Sequence, residues 1–428
     1  MSQMFVKIKD QQYGPYSSTE LEQMVEKGQF QSDDLVFNEN SQEWIRASES
    51  NELSELFSEE EEQVFQQQVL AVGGGKGGVG KTVTTASLGV GLAALGYKVV
   101  VVDADLGGAN LHTCMGILEP KYTFYHFYTL QRDSLEDIML ETPVKNLKLI
   151  SGACGTLGLA NPRFSQKLRF ISNLKNINAD YIILDLGAGS SYNVIDFFIA
   201  ADQGLVVTSP EPMAIQETFN FIKVAAFRKI QRHFRQNAKI SALFDRDVFA
   251  EIGRMGDSMS QLLNEISKID EKAGKQVEEI LESFSPKLIL NMVHENEDVK
   301  EGAALKTAVK ELLSLNMDYL GYLEYDENVR YSVKELKPFI INNPKSKASK
   351  SLAKLITVGL LRKSGWNGFK ERRRVSRQIH DEANSYPTNQ LKESDMICSV
   401  RCFYWGDCDF QNGGFPCPVR HLDPIFHR

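Results

Sequence analysis

The stretch that decides the fold is Val69–Thr82, VLAVGGGKGGVGKT. Its last eight residues match the pattern G-x-x-x-x-G-K-[ST] of a phosphate-binding loop. An apolar, strand-like run precedes the match and a helical pattern follows it, which is the context that such a loop requires. We therefore predict a nucleotide-binding loop that takes ATP and Mg²⁺.

The composition of this loop has a physical reason. Glycines without side chains allow successive backbone N–H groups to surround phosphate oxygens, and the N-terminus of the following helix adds a positive dipole. Lys81 is expected to reach the β- and γ-phosphates, and the Thr82 hydroxyl to ligate Mg²⁺. The predicted nucleotide contacts in this stretch are Gly75, Lys76, Gly77, Gly78, Val79, Gly80, Lys81, Thr82 and, in the first part of the following helix, Thr84.

Two further apolar segments, Lys98–Val102 and Tyr181–Leu184, each lead into an aspartate. Continuous apolar strands are typical of a parallel sheet that is covered on both faces, and ligands bind at the carboxyl ends of such strands. Asp185 therefore has the geometry of a Walker B residue and is expected to hold a water of the Mg²⁺ shell. The fold class predicted is α/β: a doubly wound, mainly parallel sheet of a P-loop NTPase.

Lys76 is a second lysine inside the loop, and KGGVGKT resembles the deviant Walker A motif of the MinD/ParA ATPases. In that family the extra lysine reaches the partner's phosphates in a nucleotide-sandwich dimer, so the resemblance implies an ATP-dependent homodimer that hydrolyses ATP slowly. It also implies that Asp105 positions the attacking water. The expected catalytic residues are Lys76, Lys81, Asp105 and Asp185.

The resemblance extends over about 68–345 and is closer to the FlhG branch than to MinD itself. Gly107–Asn110 and Ser209–Pro212 resemble FlhG-type segments. The likeness places Asn110 in a nucleotide switch and makes Asn291 a reader of the adenine edge. It further implies a regulator of the placement or number of a cell-surface machine such as a flagellum or pilus.

The chain length and the charge distribution predict several units. Residues 1–67 carry a net charge of −11 and residues 345–380 a net charge of +10, within an overall charge of −8. The predicted boundaries are a small α+β GYF-like domain at 1–57, an acidic linker at 58–67, the ATPase domain at 68–363 with a helical insertion at 228–285, a basic linker at 364–395, and a cysteine-rich tail at 396–428.

The N-terminal segment resembles a GYF adaptor domain, chiefly through Gly14-Pro15-Tyr16. Domains of that kind bind proline-rich peptides in an aromatic groove, so the resemblance implies protein partners. The alternative is that the same aromatic residues form only a structural core. The candidate aromatic residues are Tyr13, Tyr16, Phe30 and Trp44.

Two polar regions of the ATPase part leave alternatives open. The insertion at 228–285 is either a partner-binding hairpin or a stabilising lid. We expect the helix at 351–363 to be the last packing helix, whereas 364–380, with Trp366 and Phe369 beside three arginines, is either a solvated tail or a peripheral membrane contact. A third hypothesis is ParA-like partitioning of DNA or cargo through this basic stretch.

The C-terminal tail carries a second chemical signal, four cysteines and a histidine within 24 residues. In a reducing cytoplasm such density indicates a zinc site or an iron–sulfur cluster rather than disulfides. The alternative function is therefore an iron–sulfur cluster carrier or redox-sensing ATPase, although such carriers use paired cysteines and Cys114 and Cys154 are not so spaced. The candidate ligands are Cys398, Cys402, Cys408, Cys417 and His421.

The sequence predicts a cytoplasmic protein. No apolar run approaches the ~20 residues of a membrane span, and the N-terminus lacks the features of a signal peptide. The resemblance to MinD adds peripheral placement at the inner membrane or the cell pole.

Overall fold

The chain divides into two units, Met1–Gln66 and Gln67–Arg428. In the computed structural model the described residues are 66–152, 162, 164–244, 258–363 and 365–386, together with 3–8, 11–17, 20–21, 24–25, 29–31, 33–38, 43–50 and 53 near the N-terminus.

The described residues of the first unit form a four-stranded antiparallel sheet. Alternate side chains of its strands, such as Val6 and Val36, face a small apolar core. Phe30 belongs to that core and is only 1% exposed, which agrees with the alternative of a structural role for this residue. The strands, in the spatial order β2-β1-β3-β4, are β1 Gln3–Ile8, β2 Gln11–Ser17, β3 Leu35–Asn38 and β4 Glu43–Arg46.

The described residues of the second unit contain an eight-stranded sheet with the order β12-β11-β10-β5-β9-β6-β8-β7. All neighbours are parallel except β7 and β8, so the predicted doubly wound, mainly parallel sheet is confirmed. Its strands are β5 Gln68–Gly73, β6 Val99–Asp103, β7 Leu140–Glu141, β8 Leu147–Ile150, β9 Tyr181–Asp185, β10 Gln203–Thr208, β11 Lys287–Val293 and β12 Asp318–Glu324.

Helices connect these strands, as parallel pairing requires. They are α1 Lys81–Ala94, α2 Leu111–Cys114, α3 Phe124–Tyr128, α4 Phe164–Leu174, α5 Tyr192–Ala200, α6 Pro212–His233, α7 Ala238–Ala242, α8 Ser258–Ile269, α9 Glu271–Ser283, α10 Asp298–Leu313, α11 Glu327–Lys334, α12 Phe339–Asn342, α13 Lys347–Lys354, a π-helical segment Leu355–Leu360, and α14 Gly365–Ser385. Short 3₁₀ turns occur at Ala47–Glu49 and Glu136–Ile138.

The insertion is built into the domain. Helix α6 continues to His233 and therefore overlaps the first residues of the predicted insertion at 228–285. The apolar faces of α8 and α9 lie in the same core cluster as the sheet, through residues such as Leu262, Ile266 and Val277. The described part of the insertion therefore uses its apolar residues to extend the core.

The basic stretch after the last packing helix is itself helical. A linker was predicted at 364–395, but α14 occupies much of that range, and Val375 and Ile379 are buried against the domain. The Tyr386 hydroxyl donates to the Met115 carbonyl oxygen at 3.0 Å. The arginine-rich composition concealed an apolar stripe at i and i+4 spacing, which is what drives the packing. Among the described residues, no helix is both long enough and apolar enough to span a bilayer.

A buried ion cluster joins three of these helices. Asp196 on α5 accepts from Lys167 Nζ at 2.7 Å and from Arg228 Nε at 2.9 Å, which come from α4 and α6. Burial alone raises the pKa of Asp196, but the hydrogen bonds and charges of Arg228 and Lys167 outweigh burial, so its pKa lies below the ordinary value. The carboxylate therefore stabilises the folded state at neutral pH.

We predict that Asp196→Asn lowers the free energy of unfolding by about 3 kcal/mol at pH 7, because it leaves Lys167, Arg228 and Arg232 facing a neutral group. Since the folded pKa of Asp196 is depressed, its stabilisation is present above the pKa of the unfolded chain and is lost as pH falls toward the folded value. The difference in the free energy of unfolding between the variant and the parent should therefore become smaller below about pH 4. Urea unfolding at several pH values measures it, with the exposed Asp133→Asn as control. Equal deficits in the two variants would contradict the prediction.

Candidate functional site

The loop between β5 and α1 has two kinds of glycine. A Cβ on Gly75 would overlap the Glu217 carbonyl oxygen, and one on Gly80 would overlap the Asn291 amide, so the back of the loop lies directly against its neighbours. A Cβ on Gly78 would meet no atom within 4 Å. Gly78 and Gly80 also have φ values of 78° and 87°, which other residues rarely adopt. The front of the loop is thus an open cradle of the kind that phosphates fill.

Lys81 is the first residue of α1. Its side chain is 8% exposed, and Nζ donates to the Lys76 carbonyl oxygen at 3.2 Å. Burial lowers the pKa of Lys81, while the charges of Asp185 and Asp105 act in the opposite direction. The ammonium group therefore lies at the cradle with one carbonyl partner and two carboxyl groups nearby, where phosphate oxygens would be stronger acceptors.

Asp185, at the end of β9, lies beside the start of α1. Thr85 Oγ1 donates to Asp185 Oδ1 at 3.1 Å, and the nearby Thr82 hydroxyl also lowers the pKa of this carboxyl group. Burial raises the pKa of Asp185 to about 7, although Thr82, Thr85 and Lys81 lower it. A hydroxyl and a carboxyl group placed together are oxygen ligands of the type Mg²⁺ prefers, so the residues present fit that ion.

The segment after β6 carries the other predicted acidic residue. Asp105 Oδ1 accepts from the Gly108 amide at 3.1 Å, and a Cβ built on Gly187 would lie 3.0 Å from the same oxygen. Asn110 Nδ2 donates to the Gly108 carbonyl at 2.7 Å. Asp105 also lines a cavity of about 220 Å³ that reaches the start of α5. Asp105 and Asn110 are thus in one short loop beside the residues that follow Asp185.

Asp103 is a structural residue that the sequence analysis did not single out. It pairs in register with Asp185 on the neighbouring strand. Its carboxyl group accepts from the Leu111 amide at 3.0 Å and the Asp105 amide at 3.3 Å, which closes the loop that carries Asp105. Burial and the charge of Asp185 raise its pKa well above the ordinary value. Its position directly at the end of an apolar strand was the available signal.

Lys76 has a partner in its own chain. Its Nζ lies 2.6 Å from Glu211 Oε2, in the turn before α6, and both side chains are substantially exposed. Sequence reasoning found Glu211 only as part of a family-like turn and did not connect it with the loop. The side chain of the second loop lysine therefore reaches the turn before α6.

Asn291 lies at the end of β11, next to the loop. Its Nδ2 donates to the Val79 carbonyl at 2.8 Å, and its Oδ1 accepts from the Met292 amide at 2.9 Å. The amide group thus braces the loop from the side of β11. Thr84, also named as a nucleotide contact, is 1% exposed and buried within α1.

The predicted ligands of the tail, Cys398, Cys402, Cys408, Cys417 and His421, lie outside the described residues. So does Cys154. Cys114 is described, and burial, aided by Asp185 and Asp103, raises the pKa of its thiol to about 12. No group of three or more His, Cys, Asp or Glu side chains among the described residues is arranged to hold a metal ion.

Comparisons with known proteins match both units. Residues 67–240 match an AAA domain family, and residues 5–53 match the family GYF domain 2. The antiactivator FleN of Pseudomonas aeruginosa is 29% identical over 285 residues, which are 66% of this chain and 82% of FleN. The septum site-determining protein MinD of Synechocystis is 35% identical over 153 residues, 35% of this chain and 56% of that protein. The match to MinD thus spans about half of its length.

Among solved structures, the septum site-determining protein MinD of Pyrococcus horikoshii, complexed with Mg-ADP, is similar with a TM-score of 0.47 and 22% identity over 68% of this chain and 94% of that chain. The sequence matches agree with the geometry of the site: the open space at Gly78, the position of Lys81 at the loop, and Thr82 close to Asp185. Residues 67–240 therefore match an AAA domain family and residues 5–53 match GYF domain 2, and the chain is similar to the antiactivator FleN and to MinD proteins.

Proposed function

We propose that the protein is an ATP-dependent, dimerising ATPase switch of the MinD/FlhG type, which controls the placement or number of a cell-surface machine such as a flagellum or pilus. The observation that carries this proposal is that the two loop lysines have different environments. Lys81 lies buried at the cradle, whereas Lys76 is at the rim and paired with Glu211. The similarity to an antiactivator and to septum site-determining proteins supports a role in placement.

The residues around the cradle have separate roles in this proposal. The loop amides and Lys81 bind the phosphates of ATP, and Thr82 and Asp185 hold Mg²⁺, which neutralises phosphate charge. Asp105, beside the cavity, orients the attacking water, and Asp103 holds the loop that positions it. Asn110 belongs to the same switch, and Asn291 supports the loop and the base.

Lys76 is proposed to act in the homodimer. Its pair with Glu211 is an exposed ion pair, and such pairs are worth at most about 1 kcal/mol. A phosphate of the partner's nucleotide, excluded from water in a dimer, is a stronger acceptor. Dimerisation on ATP would therefore exchange the contact with Glu211 for a contact across the interface, and hydrolysis would reverse it.

The GYF domain is proposed to recruit protein partners through the sheet face opposite its core. Phe5 is 37% exposed there, and Trp44 packs edge-on against Phe37 with ring centroids 5.4 Å apart. Lys7 Nζ lies 5.4 Å from the Trp44 ring centroid. An aromatic surface of this kind suits a proline-rich peptide, which loses little entropy on docking.

The tail is proposed to bind zinc or an iron–sulfur cluster through its four cysteines, with His421 as a replacement ligand. The protein is proposed to be cytoplasmic and to reach the inner membrane or cell pole as a peripheral component. Val375 and Ile379 of α14 are buried and are not available for membrane contact, so partners would supply most of the attachment.

We predict that Lys81→Ala weakens ATP binding by about 10- to 100-fold, because it removes charge-assisted hydrogen bonds to phosphate. Titration with a fluorescent ATP analogue in the presence of Mg²⁺ measures the change. The exposed Lys148→Ala serves as control, since Lys148 pairs only with Glu141 on the surface. An affinity for ATP equal to that of the control would contradict the role of Lys81.

We predict that Lys76→Ala retains ATP affinity within about threefold but no longer dimerises with ATP, because its phosphate contact forms only across the interface. Asp105→Ala should show the reverse behaviour: it dimerises, but hydrolysis falls by about 100-fold or more. Sedimentation and phosphate release distinguish the two variants. If Lys76→Ala dimerises like the parent, the proposed action of Lys76 across the dimer is wrong.

For the tail, we predict one equivalent of zinc or an iron–sulfur cluster in anaerobically purified protein, and loss of that metal in Cys402→Ser. Metal analysis with an optical spectrum measures both, and Cys114→Ser should keep the metal because Cys114 lies in the ATPase domain. Iron with sulfide absorption would favour the redox or cluster-carrier alternative over a structural zinc module. Protein without any metal would rule out the site.

A further inference from the structure

A groove of about 540 Å³ lies between α13 and α14, far along the chain from the nucleotide loop. Five of its side chains are cationic, and its other lining residues include Phe369 and Ala353. The cationic residues, which define the basic groove, are Lys350 and Lys354 on α13 and Arg372, Arg373 and Arg377 on α14.

The charge of the basic groove is not balanced locally. None of its lining residues is acidic. Glu371, the nearest acidic residue in the sequence of α14, accepts from Lys363 Nζ at 2.6 Å and lies 3.9 Å from Arg374 Nη1, so its charge is already engaged. The groove therefore attracts an anionic ligand from outside the described part of the chain.

The two walls of the groove are held in place. Val375 and Ile379 anchor α14 in the domain, and its C-terminal end is fixed where Tyr386 donates to the Met115 carbonyl. Leu352 and Ala353 are similarly buried on α13. The cationic side chains are thus presented by a preformed surface, which reduces the entropy lost on binding.

The shape of the groove restricts the partner. The groove between α13 and α14 is a space of about 540 Å³, which can accommodate a short peptide segment. Val375 and Ile379, two apolar residues of α14, are buried and are therefore not presented to a lipid surface. Phe369 is 40% exposed, with the Arg373 guanidinium 5.8 Å from its ring centroid, so the groove also offers an apolar contact.

We propose that the basic groove is the docking site for an acidic peptide segment of a partner protein, in which carboxylates alternate with apolar side chains. The carboxylates would pair with the arginines and lysines, and an apolar side chain would contact Phe369. The lining residues of the basic groove do not include any residue of the nucleotide loop.

The test uses the full-length protein and a fluorescein-labelled twelve-residue peptide of repeated Glu-Glu-Leu, followed by fluorescence anisotropy. We expect saturable binding that weakens at least fivefold between 50 and 500 mM NaCl, because screening reduces attraction between exposed charges. Arg373→Glu/Arg377→Glu should weaken binding at least tenfold. Lys306→Glu/Lys310→Glu, which makes the same charge change on the exposed face of α10, should retain binding within about twofold.

Two further measurements separate a specific groove from general attraction. Phe369→Ser should weaken the binding of the Glu-Glu-Leu peptide at least threefold. It should change the binding of a twelve-residue glutamate peptide little. Unchanged binding of a fluorescent ATP analogue establishes that each variant is folded. Absence of peptide binding, or equal loss in the α10 control, overturns the proposal. So does binding of phosphatidylglycerol vesicles or duplex DNA in its place, with the same dependence on Arg373 and Arg377.

Discussion

The close packing of neighbouring elements against the glycines of the phosphate loop is the constraint on which the rest of the ATPase domain depends. Gly74 lies against the Val207 carbonyl of β10, Gly75 against the Glu217 carbonyl of α6, and Gly80 against Asn291 of β11. These contacts come from three elements on one side of β5, so the strand order β11-β10-β5 is also what supports the loop. With its back supported in this way, the loop can keep its front open for phosphate.

The strands on the other side of β5 contribute the acidic residues of the site. β9 and β6 follow β5, and their terminal residues Asp185 and Asp103 pair in register. Asp185 faces the hydroxyls of α1, whereas Asp103 uses its oxygens on backbone amides of the next loop. Two neighbouring carboxyl groups therefore have different partners. One is available to a metal and the other holds Asp105 in place.

In the C-terminal part, one helix contributes both buried apolar residues and exposed positive charges. α14 turns Val375 and Ile379 into the domain and presents arginines to the groove it forms with α13. In the sequence, the high density of positive charge masked the apolar positions, because a linker and an amphipathic helix with few apolar residues have similar composition.

The sequence by itself determined the strands β5, β6 and β9, the phosphate loop and the position of Asp185 at a strand end, because apolar runs and glycine spacing are local signals. Only the tertiary structure decided the pairing of Lys76 with Glu211 and of Asn291 with Val79, which are 135 and 212 residues apart. It also placed Phe30 in a core and α14 against the domain. Such contacts depend on which surfaces meet in the folded chain. Local propensity and residue spacing carry no information about contacts between residues that are far apart in the sequence.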